Sequence, residues 1–130
     1  MVNDSLTSVN RVEVNQRTIE PGVAAVEVRG ELDLATVGKL EASVERALTQ
    51  GPAPFLIDFT DCGFIDSTVV ALLVKLRLRL GHAVRPRFAV VAQGQPLGLL
   101  RLTGLDREMP VFARLPEALR VLEAAGTTES

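Results

Sequence analysis

The stretch from Phe55 to Leu80 leaves this chain few ways to fold, because an apolar run, a short acidic turn and an apolar-faced helical pattern follow one another without a gap. Phe55, Leu56, Ile57 and Phe59 read as a buried strand, whereas Val69, Leu72, Leu73, Leu76 and Leu80 recur at the spacing of a helix face. The pivot is Asp66-Ser67-Thr68. Asp66 or Ser67 can cap the free N–H groups of the helix's first turn, and a negative charge placed there meets the positive end of the helix dipole. A phosphate on one of these hydroxyls would meet the same environment.

The rest of the chain repeats the alternation. Arg11 to Asn15 has the period of a half-buried strand, Glu20-Pro21-Gly22 is a turn, and Val23 to Val28 is a second apolar run close enough for an antiparallel pair. Asp33 can cap a following helix that turns Val37, Leu40, Val44 and Leu48 inward and Lys39, Glu41, Glu45 and Arg46 outward, ended by Gly51-Pro52. Gly81 closes the central helix, and Arg87 to Ala92 gives another strand centred on Phe88, Val90 and Val91. Gln95-Pro96 opens a short helix that Gly104-Leu105 closes. Met109 to Phe112 is a last strand, which Pro110, lacking an N–H, places at the sheet edge. Pro116 starts a final helix with Ala118, Leu119 and Leu122 inward.

The order β-β-α-β-α-β-α-β-α predicts a single α/β domain, with a mostly parallel mixed β-sheet, an antiparallel first strand and about four packed helices. It is expected to span residues 11–125, with a flexible segment over 1–10 and a frayed end over 126–130.

Composition removes several function classes. Hydrophobic residues make up 47% and charged residues 23% of the 130, a balance that supports a real core and argues against disorder. A formal net charge of −2 gives no general attraction to nucleic acid or anionic lipid, so a protein partner is expected, without direct nucleic-acid or membrane binding. Cys62 is the single cysteine, the N-terminus lacks a basic-then-apolar signal pattern and no apolar run is of spanning length, which together read as cytoplasmic.

The carboxylates do not follow the spacing of a calcium loop and no glycine-rich phosphate cradle occurs, so neither a metal nor a cofactor is expected. A hydrolase using Ser67 or Cys62 with His82, the one histidine, fails on distance. Ser67 and His82 bracket one helix, and at 1.5 Å rise per residue they stand roughly 20 Å apart. Cys62 and His82 then read as ordinary turn residues. A receiver domain phosphorylated at Asp58 would need a lysine late in the chain, but the last lysine, Lys75, lies within the central helix. The chain is expected not to be an enzyme.

Gly30-Glu31-Leu32-Asp33, Phe64-Ile65-Asp66-Ser67-Thr68 and Thr103-Gly104-Leu105, in that order, resemble a STAS domain, and more narrowly the bacterial anti-sigma factor antagonists, over Arg11 to Leu122. The resemblance implies a phosphoprotein that regulates transcription by partner switching. Unphosphorylated, it would bind an anti-sigma factor that is itself a serine kinase, and the serine after the aspartate, here Ser67, would be the residue phosphorylated, with Thr68 as the alternative.

On this reading Asp33, Asp66, Ser67, Thr68, Val69 and the outward side of the helix form the docking surface, and Asp58 and Asp61 add acidity nearby. The family usually has glycine just after the hydroxyl pair, where this chain has Val69, a β-branched residue expected to crowd a partner's approach. Asp33 and Asp66 as plain helix caps are the competing structural reading. A scaffold of a stress-signalling assembly and a small subunit of a lipid-transport complex are the alternatives in role, and a weak homodimer is left open.

Overall fold

Val12–Ile19 (β1) and Val23–Leu32 (β2) form the antiparallel hairpin, with Gly22 N–H donating to the Ile19 carbonyl at 2.8 Å across the turn. Gly22 has φ of 142°, a backbone conformation that a side chain would strain. The computed structural model describes residues 12–19, 22–50, 54–81 and 87–127, with side chains described as far as residue 123. The expected segment 1–10, most of the first turn, Gly51-Pro52 and His82 lie outside them.

Three crossovers follow. Val37–Thr49 (α1) leads to Phe55–Ile65 (β3), Ser67–Leu80 (α2) to Phe88–Val91 (β4), and Gly94–Leu102 (α3), through a short 3-10 turn at Leu105–Arg107, to Val111–Phe112 (β5); Leu115–Thr127 (α4) ends the chain's described part. The strands lie in sequence order β1-β2-β3-β4-β5, and every pair after the first is parallel.

This order decides where the helices sit. Parallel crossovers that always step in one direction and keep the right-handed sense put all their helices on one face. Leu40, Val44 and Ala47 of α1, Val69, Leu73 and Leu76 of α2 and Leu100 of α3 accordingly share one buried cluster with Phe55, Ile57 and Phe59 of β3. α4 follows the last strand rather than joining two, and it packs Ala118 and Leu122 on the other face against Val23, Ala25, Leu56, Ala89 and Val91. Each fully buried Leu or Phe contributes about 1.5–3 kcal/mol of transfer free energy. Ile19 and Phe112 pack at the margin of this layer, and beyond it the face carries ion pairs: Arg17 meets Glu27 at 2.7 Å, and Arg29 lies 3.5 Å from Asp61.

Element order, the antiparallel first strand and the edge position of the strand after Pro110 are as the sequence predicts. β2 and β3 are longer than expected. β3 continues through Thr60, Asp61, Cys62 and Gly63, because register shifts against β2 between Glu27 and Arg29 and between Gly30 and Glu31 let the pairing absorb residues that break the alternation. Cys62 is therefore a buried strand residue, not a turn residue. Asp58 and Asp61 lie within the strand; Asp61, the nearer, stands about 16 Å from Asp66 at 3.3 Å per residue and adds no acidity there. The final helix reaches Thr127, into the stretch expected to fray.

Candidate functional site

β2 and β3 are neighbours and end in register, with Leu32 opposite Ile65, so the next residues, Asp33 and Asp66, emerge side by side at the carboxyl edge of the sheet. Each organises the backbone beyond it. Asp33 Oδ1 accepts from the N–H groups of Ala35 (3.0 Å) and Thr36 (3.1 Å) and from the Thr36 hydroxyl. It thus secures a turn ahead of α1, whose N-cap is Thr36, one turn later than the capping role expected for Asp33.

Asp66 is the N-cap of α2. Its Oδ1 accepts from the Thr68 N–H at 2.9 Å and from the Thr68 hydroxyl, and its Oδ2 accepts from Leu34 N–H at 3.1 Å. One carboxylate therefore caps one helix and ties it to the loop leading to another. Burial pushes the Asp66 carboxyl up, but the hydrogen bonds from the Thr68 hydroxyl and from the N–H groups of Thr68, Val69 and Leu34 outweigh it and hold the group below the usual aspartate range.

Ser67 and Thr68 differ in kind. Thr68 is half-buried with its hydroxyl given to Asp66, whereas Ser67 is exposed and its hydroxyl makes no hydrogen bond among the described residues. Val69 is fully buried in the main core. That corrects its assignment to the docking surface and removes the expected crowding: a helix turns by about 100° per residue, so Ser67 and Val69 point to opposite sides. The residues that continue outward from Ser67 at helical spacing are Ala71, Val74 and Leu78, with Val74 and Leu78 38% and 67% exposed.

Three further residues shape this edge. Leu34 is 75% exposed beside Asp66, and Phe64, just before the pivot, is 41% exposed, so apolar groups flank the hydroxyl turn. Gln95 at the start of α3 accepts from Ile65 N–H and donates to the Ile65 carbonyl, both at 2.9 Å, closing the end of β3 as a neighbouring strand would. The sequence marks Gln95 only as a helix start, and the signal it offers for Leu34 is a large apolar residue directly after the capping Asp33.

Cys62 is not placed for nucleophilic chemistry. Burial raises its thiol above the usual value, and its Sγ donates to the Phe64 carbonyl at 3.2 Å. Among the described residues no group of three or more metal-ligating side chains comes together, and no helix is long and apolar enough to cross a membrane.

The STAS-domain family profile matches residues 15–118, which includes both junctions at this edge. The chain belongs to the STAS domain family. Its relatives there include the anti-sigma-F factor antagonist RsfB of Mycobacterium tuberculosis, 31% identical over 99 residues, which are 75% of this chain and 80% of RsfB. Among solved structures, an anti-sigma factor antagonist from Mycobacterium paratuberculosis superposes with a TM-score of 0.80 at 28% identity, covering 88% of this chain and 96% of that one. The anti-sigma factor antagonist SpoIIAA in its unphosphorylated form shares the fold, with a TM-score of 0.58 at 20% identity over 82% of this chain and 94% of SpoIIAA.

Proposed function

We propose that this protein is an anti-sigma factor antagonist that docks on its anti-sigma factor through the Asp33–Asp66 edge and the outward stripe of α2, and that phosphorylation of Ser67 by that factor releases it. The observation that carries this reading is the contrast between two adjacent hydroxyls. Ser67 is exposed and uncommitted, while Thr68 is spent on the Asp66 cap, so a kinase that takes the free hydroxyl takes Ser67. The flanking apolar groups Leu34, Val74 and Leu78 supply the surface a protein partner can cover.

Release follows from where the new charge sits. A phosphate adds about −1.5 to −2 charges at neutral pH. The N-terminus of α2 offsets that by only about 0.3–1 kcal/mol, too little to refold a domain, so the fold stays. In the complex the dianion must be stripped of water and held beside Asp66 and Asp33, and those costs fall on the bound state alone.

Incubation with the cognate kinase and ATP, followed by mass spectrometry, tests the site. One phosphate on Ser67 is expected, and a phosphate confined to Thr68 or none at all overturns the switch. In pull-downs Ser67→Ala should stay bound in the presence of ATP, and Ser67→Asp should bind weakly. A folded protein that captures none of the anti-sigma factors of its own organism would favour the scaffold or lipid-transport role.

A further inference from the structure

The two edges of the sheet are built differently. β5 has 2 residues and follows Pro110, so it offers almost no ladder to another chain. β1, at the other edge, has 8 residues in unbroken register with β2 and contains neither proline nor bulge. The backbone groups it presents follow from its neighbour. Ala24 N–H donates to the Pro54 carbonyl at 3.0 Å, on the β3 side, so Thr18, its partner in β1, turns its own N–H and C=O away from β2. By alternation Val12, Val14, Gln16 and Thr18 all face the open edge. Among the described residues the contact to these outward groups is from Lys39 Nζ, 3.5 Å from the Val12 carbonyl.

The side chains beside this edge complement themselves. Glu13, Asn15 and Arg17 lie exposed on one face. Asp61, Arg29 and Glu13 stand in register across β3, β2 and β1, with Arg29 3.5 Å from Asp61 and 4.0 Å from Glu13. Arg17, farther along β1, is paired with Glu27. The charge rows thus reach the open edge as a negative end at Glu13 and a positive end at Arg17.

We propose that β1 pairs antiparallel with β1 of a second copy, about a twofold axis at Asn15, to make a continuous sheet. This register sets Val12 against the partner's Thr18 and Val14 against the partner's Gln16, so all four outward residues enter hydrogen-bonded pairs. Glu13 then faces the partner's Arg17 in the closer, non-hydrogen-bonded positions, with Cβ atoms about 4.5–5.5 Å apart. The row Asp61, Arg29, Glu13, the partner's Arg17, the partner's Glu27 alternates in sign throughout. A slip of two residues opposes Glu13 to Asn15 or to Ile19 and loses both ion pairs. A single strand pair is smaller than a standard interface, so the dimer is weak and concentration-dependent. It shares no residue with the Asp33–Asp66 edge and is independent of the function proposed above.

Sedimentation equilibrium on the full chain at low salt tests the pairing, with monomer–dimer exchange expected as concentration rises. Glu13→Arg alone and Arg17→Glu alone oppose like charges at both ends of the strand pair and should each weaken association by about tenfold or more. The double variant Glu13→Arg/Arg17→Glu restores opposite charges across the twofold and should return association to near the wild-type level. Each variant also loses its pairing with Arg29 or Glu27, but the double variant loses both, so recovery there cannot come from within one chain. Gln16→Pro deletes an outward N–H while sparing the β1–β2 ladder, and should be folded by circular dichroism and monomeric. A wild type that stays monomeric throughout, a single charge variant that associates as well as wild type, or a folded Gln16→Pro that still dimerises would each overturn the proposal.

Discussion

Replacing Asp66 by alanine removes a carboxylate that caps α2 and tethers the loop before α1, and the cost divides along those two roles. Loss of an N-cap aspartate costs about 1 kcal/mol. The Leu34 N–H is exposed, so water replaces its lost acceptor and that bond adds only about 0.5–1 kcal/mol. The sum is about 1.5–2 kcal/mol, which moves a urea midpoint by about 1 M for a domain of this size. Asp66→Asn keeps a capping oxygen and loses the charge, and should cost no more than about half as much.

The acid limb separates this account from a general loss of packing. The folded Asp66 carboxyl lies below its ordinary range, so its contribution is fully present above the unfolded value and disappears as pH falls through the lower folded one. Wild type and Asp66→Ala should therefore differ by the full amount from neutrality down to about pH 5, and the gap should narrow only as pH falls below about 4. Urea titrations across that range decide it. A gap under about 0.5 kcal/mol at neutral pH, or one that fails to narrow in acid, would refute the role assigned to this carboxylate.

Ser43 on α1 is buried with a hydroxyl that has no hydrogen-bond partner among the described residues, so Ser43→Ala should stabilise the fold by about 1 kcal/mol and raise Tm by about 3–5 °C in a thermal melt. Gln95→Ala should cost about 2 kcal/mol in urea denaturation by leaving both Ile65 backbone groups without their partner, and should speed amide exchange at Ile65. Cys62 should react with a thiol reagent only as fast as the native protein opens, and at the free-thiol rate in denaturant, because burial both shields it and raises its thiol.

Much of this architecture was legible in the sequence because local chemistry and global packing agree. Proline, glycine and Asp66 mark element ends, and the apolar spacing of Val69, Leu73 and Leu76 names the face of α2 that is buried. The second half of β3 was not legible, since Thr60 to Gly63 look like a turn and are held in the strand by Arg29 and by register shifts that only the paired strand reveals.

At the site, the adjacency of Asp33 and Asp66 follows once β2 and β3 are neighbours. Which hydroxyl stays free did not follow. Ser67 and Thr68 are equivalent as letters, and it is the rotation of the first helical turn that hands one to Asp66 and leaves the other to solvent. The same rotation sends Val69 inward, as its apolar spacing implies and against the docking surface expected from the resemblance. Gln95 belongs to a kind of contact that no spacing rule captures, a side-chain amide standing in for a strand across a gap of 30 residues.

β3 contributes Phe55, Ile57 and Phe59 to one hydrophobic layer and Leu56 to the other, while β2 and β4 hold it from both sides. Neither layer can loosen without disturbing the strand that leads into Asp66, so the two layers should melt as one cooperative unit. Damage under α4, such as a polar residue at Leu122, would thus be felt on the opposite face as fewer molecules able to present Ser67, lowering abundance while leaving the affinity of the survivors unchanged.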